Sequence, residues 1–333
     1  MCGLCILAYH NFVQPEDVAF RPSFLMQSAT FRRRLHFLKE KGYPILKLDE
    51  ALGKLSRKEL SPGSTVITID DGFFGVHQHA LGLLREFSFP ATVYITTYYV
   101  EKGTPIFRLV VQYMFWKTDK EVVDLMSLGI RSIGKEDIRD AVKQEELGER
   151  LIEFGEGRCD EEQRCVLSAR LGELLEVSYE EIRQKRIFTL MTPKAIQELS
   201  QAGIDIQLHT HRHQLPADEE VTKREIVQNR EMLRPFQQGP LVHFCYPSGI
   251  WAKEHWEWLE KVDVKSATTC EPGMNYQDTP RFRLHRFLDG EHVTQIEFEA
   301  MVTGFIDIFQ NLRLLGKRIV CGEWKRAWVG KEE

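Results

Sequence analysis

The chain has 333 residues, of which 43% are hydrophobic, and a formal net charge of −5 at pH 7. This length and composition allow either two domains or one large barrel with a substantial core. The acidic balance (pI about 6.2) and the lack of a basic patch exclude nucleic acid as an expected partner. No run approaches the ~18 apolar residues of a membrane-spanning helix.

The seven cysteines are an odd number, and their spacing suggests no disulfide framework. Cys2 and Cys5 form a Cys-x-x-Cys pair, but no second pair completes a zinc ribbon. The first ten residues have no basic start and only a short apolar stretch, so they predict a β-strand rather than a signal peptide. We therefore expect a cytoplasmic protein with reduced thiols.

Short apolar runs alternate with segments of helical period along the chain. The predicted strands are Cys5–Tyr9, Thr65–Ile69, Ala91–Thr96, Ile204–Leu208, Val242–Tyr246, Val264–Thr269 and Phe282–Phe287. The predicted helices are Ala29–Lys41, Val76–Phe87, Thr192–Gln201, Thr222–Leu233 and Lys253–Lys261. Alternating strands and helices predict an α/β fold with a largely parallel sheet, and about seven strands are enough to close, or nearly close, a barrel.

Residues 101–187 interrupt this alternation, and we predict that they form a helical insertion within a single barrel domain of residues 1–325. Helices are expected within Lys135–Phe154 and Asp160–Lys185. The apolar segment Ile106–Trp116 is expected to pack on the barrel. The alternative is a lid or lipid-facing surface, which would bring peripheral membrane contact. The amphipathic tail Gln295–Val320 is expected to close the barrel at its bottom or side.

Two adjacent carboxylates directly follow the second predicted strand, in Thr68-Ile69-Asp70-Asp71-Gly72. On an extended backbone, neighbouring side chains point in opposite directions. One carboxylate can then bind a metal while the other faces the substrate or its attacking water. Taken alone, Asp-Asp-Gly is also typical of an ordinary acidic turn.

Two histidines follow another predicted strand, in His209-Thr210-His211-Arg212-His213. Their i, i+4 spacing predicts two imidazoles on one face of a helical turn, with His211 pointing elsewhere. Two histidines at the surface or core edge are the alternative for this pair taken alone. A carboxylate with two imidazoles is a common ligand set for a catalytic divalent metal, which lowers the pKa of a bound water.

Reactive residues in parallel α/β folds collect at the C-terminal ends of strands. Five candidates lie at such ends: Asp70, Asp71, His209, His213 and Tyr246. This coincidence predicts one metal-dependent hydrolytic site. Phosphoryl transfer by an Asp-Asp pair is disfavoured, because no Gly-rich phosphate loop accompanies it.

At these motifs the chain resembles the polysaccharide deacetylases of the NodB-type group, carbohydrate esterase family four. That family is marked by Thr-Phe-Asp-Asp-Gly and His-Ser/Thr-x-x-His, which residues 68–72 and 209–213 resemble. Further segments that resemble the family are Ile6–His10, Phe89–Tyr94, Met191–Pro193 and Phe244–Gly249. The resemblance covers residues 4–100 and 188–290 and leaves out the insertion.

The resemblance implies a distorted (β/α)-type barrel and a metal-dependent N-deacetylase. Asp70 would be the general base, and Asp71, His209 and His213 would bind one divalent ion. Zinc is the first expectation, with cobalt, nickel, iron and manganese as alternatives. The backbone N–H of Tyr246 would help to stabilise the tetrahedral oxyanion.

The family's late Leu-x-His motif, which supplies a protonating histidine, has no clean match. Within Arg283-Leu284-His285-Arg286, His285 is a candidate general acid. Alternatively, the segment follows the family's Leu-Pro-Arg variant, and Arg286 is the site residue that pairs with Asp70.

The substrate pocket is predicted less specifically. His10 is expected to line its floor or, alternatively, to satisfy buried backbone groups. Pro247 of the third motif is a second candidate for substrate binding. Ser248 replaces a common aromatic residue of that motif, and Ile69 is a tolerable replacement for the usual phenylalanine.

The leading hypothesis is removal of an acetyl group from an N-acetylated sugar or oligosaccharide. The expected cytoplasmic location favours a lipid-linked, nucleotide-linked or oligosaccharide intermediate of surface-glycan synthesis. The alternatives are hydrolysis of another linear amide or a formyl group, and a catalytically inactive glycan-binding module. The sequence makes no prediction of oligomeric state.

Overall fold

The computed structural model describes residues 3–129, 134–237 and 239–305. Its strands are β1 (Cys5–Tyr9), β2 (Asn11–Val13), β3 (Leu25–Gln27), β4 (Thr65–Ile69), β5 (Thr92–Ile95), β6 (Val122–Asp124), β7 (Lys135–Asp137), β8 (Asp205–Leu208), β9 (His243–Cys245), β10 (Ser266–Thr268) and β11 (Phe287–Leu288). Its α-helices are α1 (Ser28–Glu40), α2 (Leu48–Ser56), α3 (Leu81–Phe87), α4 (Tyr98–Lys102), α5 (Phe107–Lys117), α6 (Ala141–Arg158), α7 (Glu161–Leu175), α8 (Tyr179–Lys185), α9 (Pro193–Gln201), α10 (Glu219–Leu233), α11 (Glu254–Lys261) and α12 (Gln295–Val302).

Seven parallel strands form the central sheet, in the order β10-β9-β8-β5-β4-β1-β11. The predicted α/β fold, a distorted or incomplete barrel of about seven strands, is confirmed. Every residue of β1 and β4 is buried, as expected where helices cover both faces of a parallel sheet. These two strands pair along their whole length, from Cys5 with Thr65 to Tyr9 with Ile69. Consequently the residues that follow them, His10 and Asp70, lie side by side.

One segment, residues 281–288, pairs on both sides and draws the two edges of the sheet together. At its start, Ala267 of β10 donates its N–H to the Arg281 carbonyl, and Leu284 donates back to Ala267. At its end, β11 pairs with β1. The predicted strand Phe282–Phe287 is therefore regular only at Phe287–Leu288, because the chain changes partner in between. This change of partner distorts the barrel at Arg286.

Most predicted helices are present with small shifts of their ends. Thr192 caps α9 by accepting the N–H of Ala195, as the Thr-Pro start indicates. The predicted helix Val76–Phe87 is interrupted, because its first part, Val76–Ala80, is a π turn. Helix α2 is not among the predicted helices, since its nine residues offer only two turns of helical period.

The insertion is not entirely helical. β6 and β7 form an antiparallel ribbon, so the predicted helix Lys135–Phe154 begins only at Ala141, where Asp140 caps it. The predicted helix Asp160–Lys185 is two helices, since α7 ends at Leu175 and Ser178 caps α8. Short polar caps therefore decide the helix ends within the insertion.

Helix α5 contains most of the apolar segment at the start of the insertion, and most of its side chains are buried against the rest of the protein. Its buried residues are Phe107, Leu109, Val110, Val111, Tyr113, Met114 and Phe115. The Tyr113 hydroxyl donates to Asp17 at 2.6 Å, and the ring packs against Phe20 and Phe188. Helix α5 therefore packs on the protein along most of its length, as expected, while a lid or a peripheral membrane contact at this segment stays a prediction.

The described chain ends shortly after α12, whose Phe298 is buried. The predicted amphipathic tail Gln295–Val320 continues outside the described residues. Among those that are described, no helix combines the length and apolar composition that crossing a bilayer requires.

Two glycines on α6 give a matched test of how tightly the insertion is packed. A Cβ on Gly155 would lie 2.3 Å from Cε1 of the buried Phe107 ring, whereas a Cβ on Gly157 would have no neighbour within 4 Å. We expect Gly155→Ala to lower the free energy of unfolding by about 1–3 kcal/mol, because the ring has no free space to move into. Gly157→Ala should raise it, by at most about 1 kcal/mol, through helix propensity. Urea unfolding of both variants measures this, and equal values would contradict the packing described.

Candidate active site

The Asp-Asp motif continues β4 for one residue and then turns. The Asp70 N–H donates to the Tyr9 carbonyl at 2.9 Å, in the ladder between β1 and β4. Asp71 has a φ of 67° and Gly72 a φ of 84°, both left-handed. The two carboxylates therefore diverge through this turn and not through the extended alternation that the sequence predicts. A Cβ on Gly72 would lie 2.8 Å from Cγ2 of Ile95, so this position requires glycine.

The histidine motif does not form the predicted helical turn. Residues 209–213 form a bend after β8, and Thr210 and His213 have φ values of 61° and 54°. The imidazole rings of His209 and His213 nevertheless converge, with their centroids 4.9 Å apart. The left-handed conformations of Thr210 and His213 thus bring the two imidazoles together, as the helical turn was expected to do.

Both imidazoles meet one carboxylate oxygen. Nε2 of His209 lies 3.1 Å from Oδ1 of Asp71, and Nε2 of His213 lies 3.2 Å from the same oxygen. One ligand atom from each of the three residues lies within 4.8 Å of the others. His209 is buried, whereas the His213 side chain is 40% exposed, so this group opens to solvent on the His213 side.

The hydrogen bonds of His209 show that this group fits a cation. Its Nδ1 lies 2.8 Å from the Cys245 carbonyl, which can only accept, so Nδ1 carries the hydrogen. A neutral imidazole then directs the Nε2 lone pair at an Asp71 oxygen, and two acceptors stay this close only with a proton or a metal ion between them. Burial opposes a positive charge here, but Cys245 and Asp71 outweigh it and raise the pKa of His209 well above its ordinary value.

The first aspartate is engaged differently, in a buried ion pair. Nη1 and Nη2 of Arg286 donate to the two oxygens of Asp70 at 2.7 and 2.8 Å. Burial raises the pKa of Asp70, but the charge and the hydrogen bonds of Arg286 outweigh it, so the pKa is lowered and the carboxylate stays ionised. Asp70, His209 and Cys245 also lie close enough to share a cation. The guanidinium on Asp70 disfavours a metal there.

His10 lies beside this ion pair. Its Nε2 is 3.7 Å from Oδ2 of Asp70, and its ring lies 5.0 Å from that of Phe24. Burial lowers the pKa of His10, and the negative charges of Asp70 and Asp71 only partly oppose this. His10 is therefore a neutral imidazole in contact with the carboxylate.

His285, the candidate general acid, points away from these groups. Its Nδ1 lies 3.6 Å from Oε2 of Glu271, and its backbone N–H donates to Asn275. Within the described residues, His285 has no recorded contact with Asp70 or with the metal-ligand group. The alternative pattern, in which Arg286 reaches Asp70, is the arrangement found.

Tyr246, the candidate oxyanion donor, has no free N–H. That N–H donates to the Thr268 carbonyl at 3.1 Å, and the hydroxyl donates to the Phe282 carbonyl at 3.0 Å. Pro247 is buried at the start of the short helical turn Pro247–Gly249 and has no N–H to offer. The next N–H along the chain belongs to Ser248, which is exposed and left-handed, with φ 55°.

The structure adds three residues that the sequence analysis does not select. The Cys245 thiol lies 3.4 Å from Oδ2 of Asp70 and 3.2 Å from Nη2 of Arg286. Glu225 and Asn229 of α10 are almost fully buried and bind the histidine motif. A signal for these two exists in the sequence, because both lie on the apolar face of a predicted helix.

Comparison with known families supports the resemblance seen in the motifs. The family model described as "Polysaccharide deacetylase" matches residues 172–267, which include His209, His213 and Tyr246. The Asp-Asp motif lies before this range. No curated protein sequence matches the chain.

Solved structures of deacetylases share the fold. Streptococcus pyogenes deacetylase PplD, in complex with acetate, is 17% identical with a TM-score of 0.60, over 90% of this chain and 98% of its own. A de-N-acetylase from Aggregatibacter actinomycetemcomitans is 11% identical with a TM-score of 0.56, over 90% and 99%. IcaB from Ammonifex degensii is 16% identical with a TM-score of 0.53, over 91% and 98%.

The matched family model indicates a hydrolase that acts on an amide C–N bond. The resemblance predicted from the sequence is confirmed: the polysaccharide deacetylase model matches residues 172–267, and solved polysaccharide deacetylases share the fold.

Metal content tests the ligand group directly. We expect the purified protein to bind about one divalent ion per chain, and His209→Ala/His213→Ala to bind none, because only Asp71 then remains. His77→Ala is the control, since that imidazole pairs with Glu198 at 2.7 Å on neighbouring helices. Elemental analysis after dialysis measures the ratio. A double variant that keeps its ion would show that these residues are not the ligands.

Proposed function

We propose that the protein is a metal-dependent N-deacetylase that hydrolyses the acetamide of an N-acetylated amino sugar in a glycan or glycan precursor. One observation carries the proposal: two imidazoles converge on one oxygen of Asp71, beside a second carboxylate that Arg286 holds ionised. A catalytically inactive glycan-binding module would have no chemical need for this arrangement.

Asp71, His209 and His213 would hold the metal ion. The set of two nitrogens and one oxygen suits zinc, with cobalt, nickel, iron and manganese as alternatives. A bound divalent cation would polarise the acetyl carbonyl and lower the pKa of the attacking water. Because His213 is the exposed member of the set, the acetamide would approach from its side.

Asp70 would be the general base. Arg286 binds both of its oxygens and fixes its orientation, and the Cys245 thiol lies against Oδ2, yet Oδ1 keeps a second lone pair for the proton of the attacking water. Arg286 is fully buried and also donates its Nε–H to the Thr269 carbonyl at 2.8 Å, so the base is held rigidly.

His10 would carry the proton to the leaving amine, in place of His285. It is the one imidazole in contact with Asp70 among the described residues, and it is neutral, so it can take a proton from Asp70 and pass it on. The developing oxyanion would be stabilised by the metal ion and by the N–H of Ser248, since that of Tyr246 is used in the sheet. Pro247 would shape the turn that carries this donor.

Two conservative substitutions separate the roles of the aspartates. We expect Asp70→Asn to lower the rate of acetate release by about 100- to 10,000-fold with metal binding intact, because the base is lost while Asp71, His209 and His213 remain. Asp71→Asn should lower both activity and metal binding. Acetate release and metal content are measured on the same preparations. Wild-type activity in Asp70→Asn would exclude this carboxylate as the base.

A substrate panel tests the predicted chemistry of the substrate. Soluble N-acetylated oligosaccharides, nucleotide-linked and lipid-linked N-acetylamino sugars, chitin and peptidoglycan are compared by acetate release, with N-formyl sugars and a simple linear amide as controls. We expect activity on N-acetylated sugars alone. The prediction of a precursor substrate made inside the cell would be wrong if only whole polymers were hydrolysed.

A further inference from the structure

The histidine motif is held in an unfavourable backbone conformation. Thr210 and His213 are left-handed although neither is glycine, and a side chain with a Cβ strains the backbone in this conformation. Such a loop persists only where surrounding contacts over-determine it. Those contacts come from outside the motif, chiefly from α10 and from the residues that follow β5.

Asn229 of α10 makes the most complete set of these contacts. Its Oδ1 accepts the N–H of His209 at 3.0 Å, and its Nδ2 donates to the Ile95 carbonyl at 2.8 Å and to Oγ1 of Thr97 at 3.1 Å. The side chain is fully buried. One amide thus ties the first residue of the motif to the end of the neighbouring strand.

Glu225, one helical turn earlier, binds the middle of the motif. Its carboxylate accepts the backbone N–H of Arg212 at 2.7 Å and Nη1 of the same residue at 2.6 Å. Its backbone carbonyl accepts the N–H of His211 at 3.1 Å. Glu225 is 1% exposed, so its charge is balanced chiefly by Arg212.

Thr97 connects the two ends of this network. Its Oγ1 accepts from Asn229 and lies 2.9 Å from Nδ1 of His211, and its N–H donates to the His211 carbonyl. The contacts of His211 therefore lead to Thr97 and Glu225, while His209 and His213 point to Asp71. His211 and Arg212 thus bind the surrounding protein, while the imidazoles of His209 and His213 are directed at Asp71.

We infer that Asn229, Glu225 and Thr97 are positioning residues that set the affinity of the metal site by holding the strained histidine loop in its ligating conformation. The inference rests on the proposed function, because it assumes that His209 and His213 bind a metal. Without these contacts the loop would relax, and metal binding would have to restore its conformation at the cost of affinity.

The test measures Zn²⁺ affinity of the full chain by competition with a chromophoric chelator, together with acetate release at saturating Zn²⁺. We expect Asn229→Ala to weaken Zn²⁺ binding by about 10- to 100-fold, and saturating Zn²⁺ to restore most of the activity. Thr97→Val, which is nearly isosteric and leaves the bond between Asn229 and His209, should weaken binding less.

Two controls separate this role from general stability. Arg224→Ala changes an exposed residue on the same helix and should leave the affinity unchanged. Glu225→Gln keeps an acceptor for the Arg212 N–H and should weaken binding less than Glu225→Ala. A purely structural role would lower the melting temperature of these variants without changing their Zn²⁺ affinity.

The inference is overturned if folded Asn229→Ala binds Zn²⁺ within about twofold of wild type. If Asn229→Ala does not fold, the same result for Thr97→Val and Glu225→Ala overturns it. If wild-type protein binds neither Zn²⁺ nor Co²⁺, the proposed metal site fails, and this inference with it. Unchanged affinity in the variants beside a metal-binding wild type overturns the inference alone.

Discussion

The buried ion pair between Asp70 and Arg286 is the interaction on which the site depends. A carboxylate and a guanidinium in the barrel interior are each costly without the other. Arg286 lies where residues 281–288 leave β10 and join β1. The same change of partner therefore distorts the barrel and places this charge in its interior. The pair also disfavours a metal on Asp70. The two adjacent carboxylates are thereby given different partners, an arginine for one and two imidazoles for the other.

Left-handed residues recur around this pair and give the site its shape. Asp71, Thr210, His213 and Ser248 all have positive φ without being glycine. Each follows a strand at the same edge of the sheet, where the chain turns sharply. Conformational strain of this kind is concentrated at functional sites and is balanced by the surrounding structure. Here the network of Asn229, Glu225 and Thr97 provides that balance for the histidine loop.

The insertion is joined to the same edge of the barrel. Glu161 of α7 accepts hydrogen bonds from Thr104 at 2.6 Å and from the Tyr98 hydroxyl at 3.4 Å. The Tyr98 ring in turn packs edge-on against His211, 5.9 Å away. Through Tyr98, a helix outside the barrel is thus linked to the loop that carries His209 and His213. This link gives the insertion a structural connection to the candidate site.

Apolar periodicity in the sequence predicted the strands of the central sheet and the placement of both motifs at strand ends. The bounds of β1 and β4 agree with the apolar runs, and both motifs follow strands as predicted, because apolar periodicity is local information. Only the tertiary structure decided which of His285 and Arg286 faces the interior, since a shift of one residue along a strand reverses the direction of every side chain. It also decided that the Tyr246 N–H is used in the sheet and that Asn229 holds His209. These outcomes depend on partners far away in the chain, which no local pattern contains.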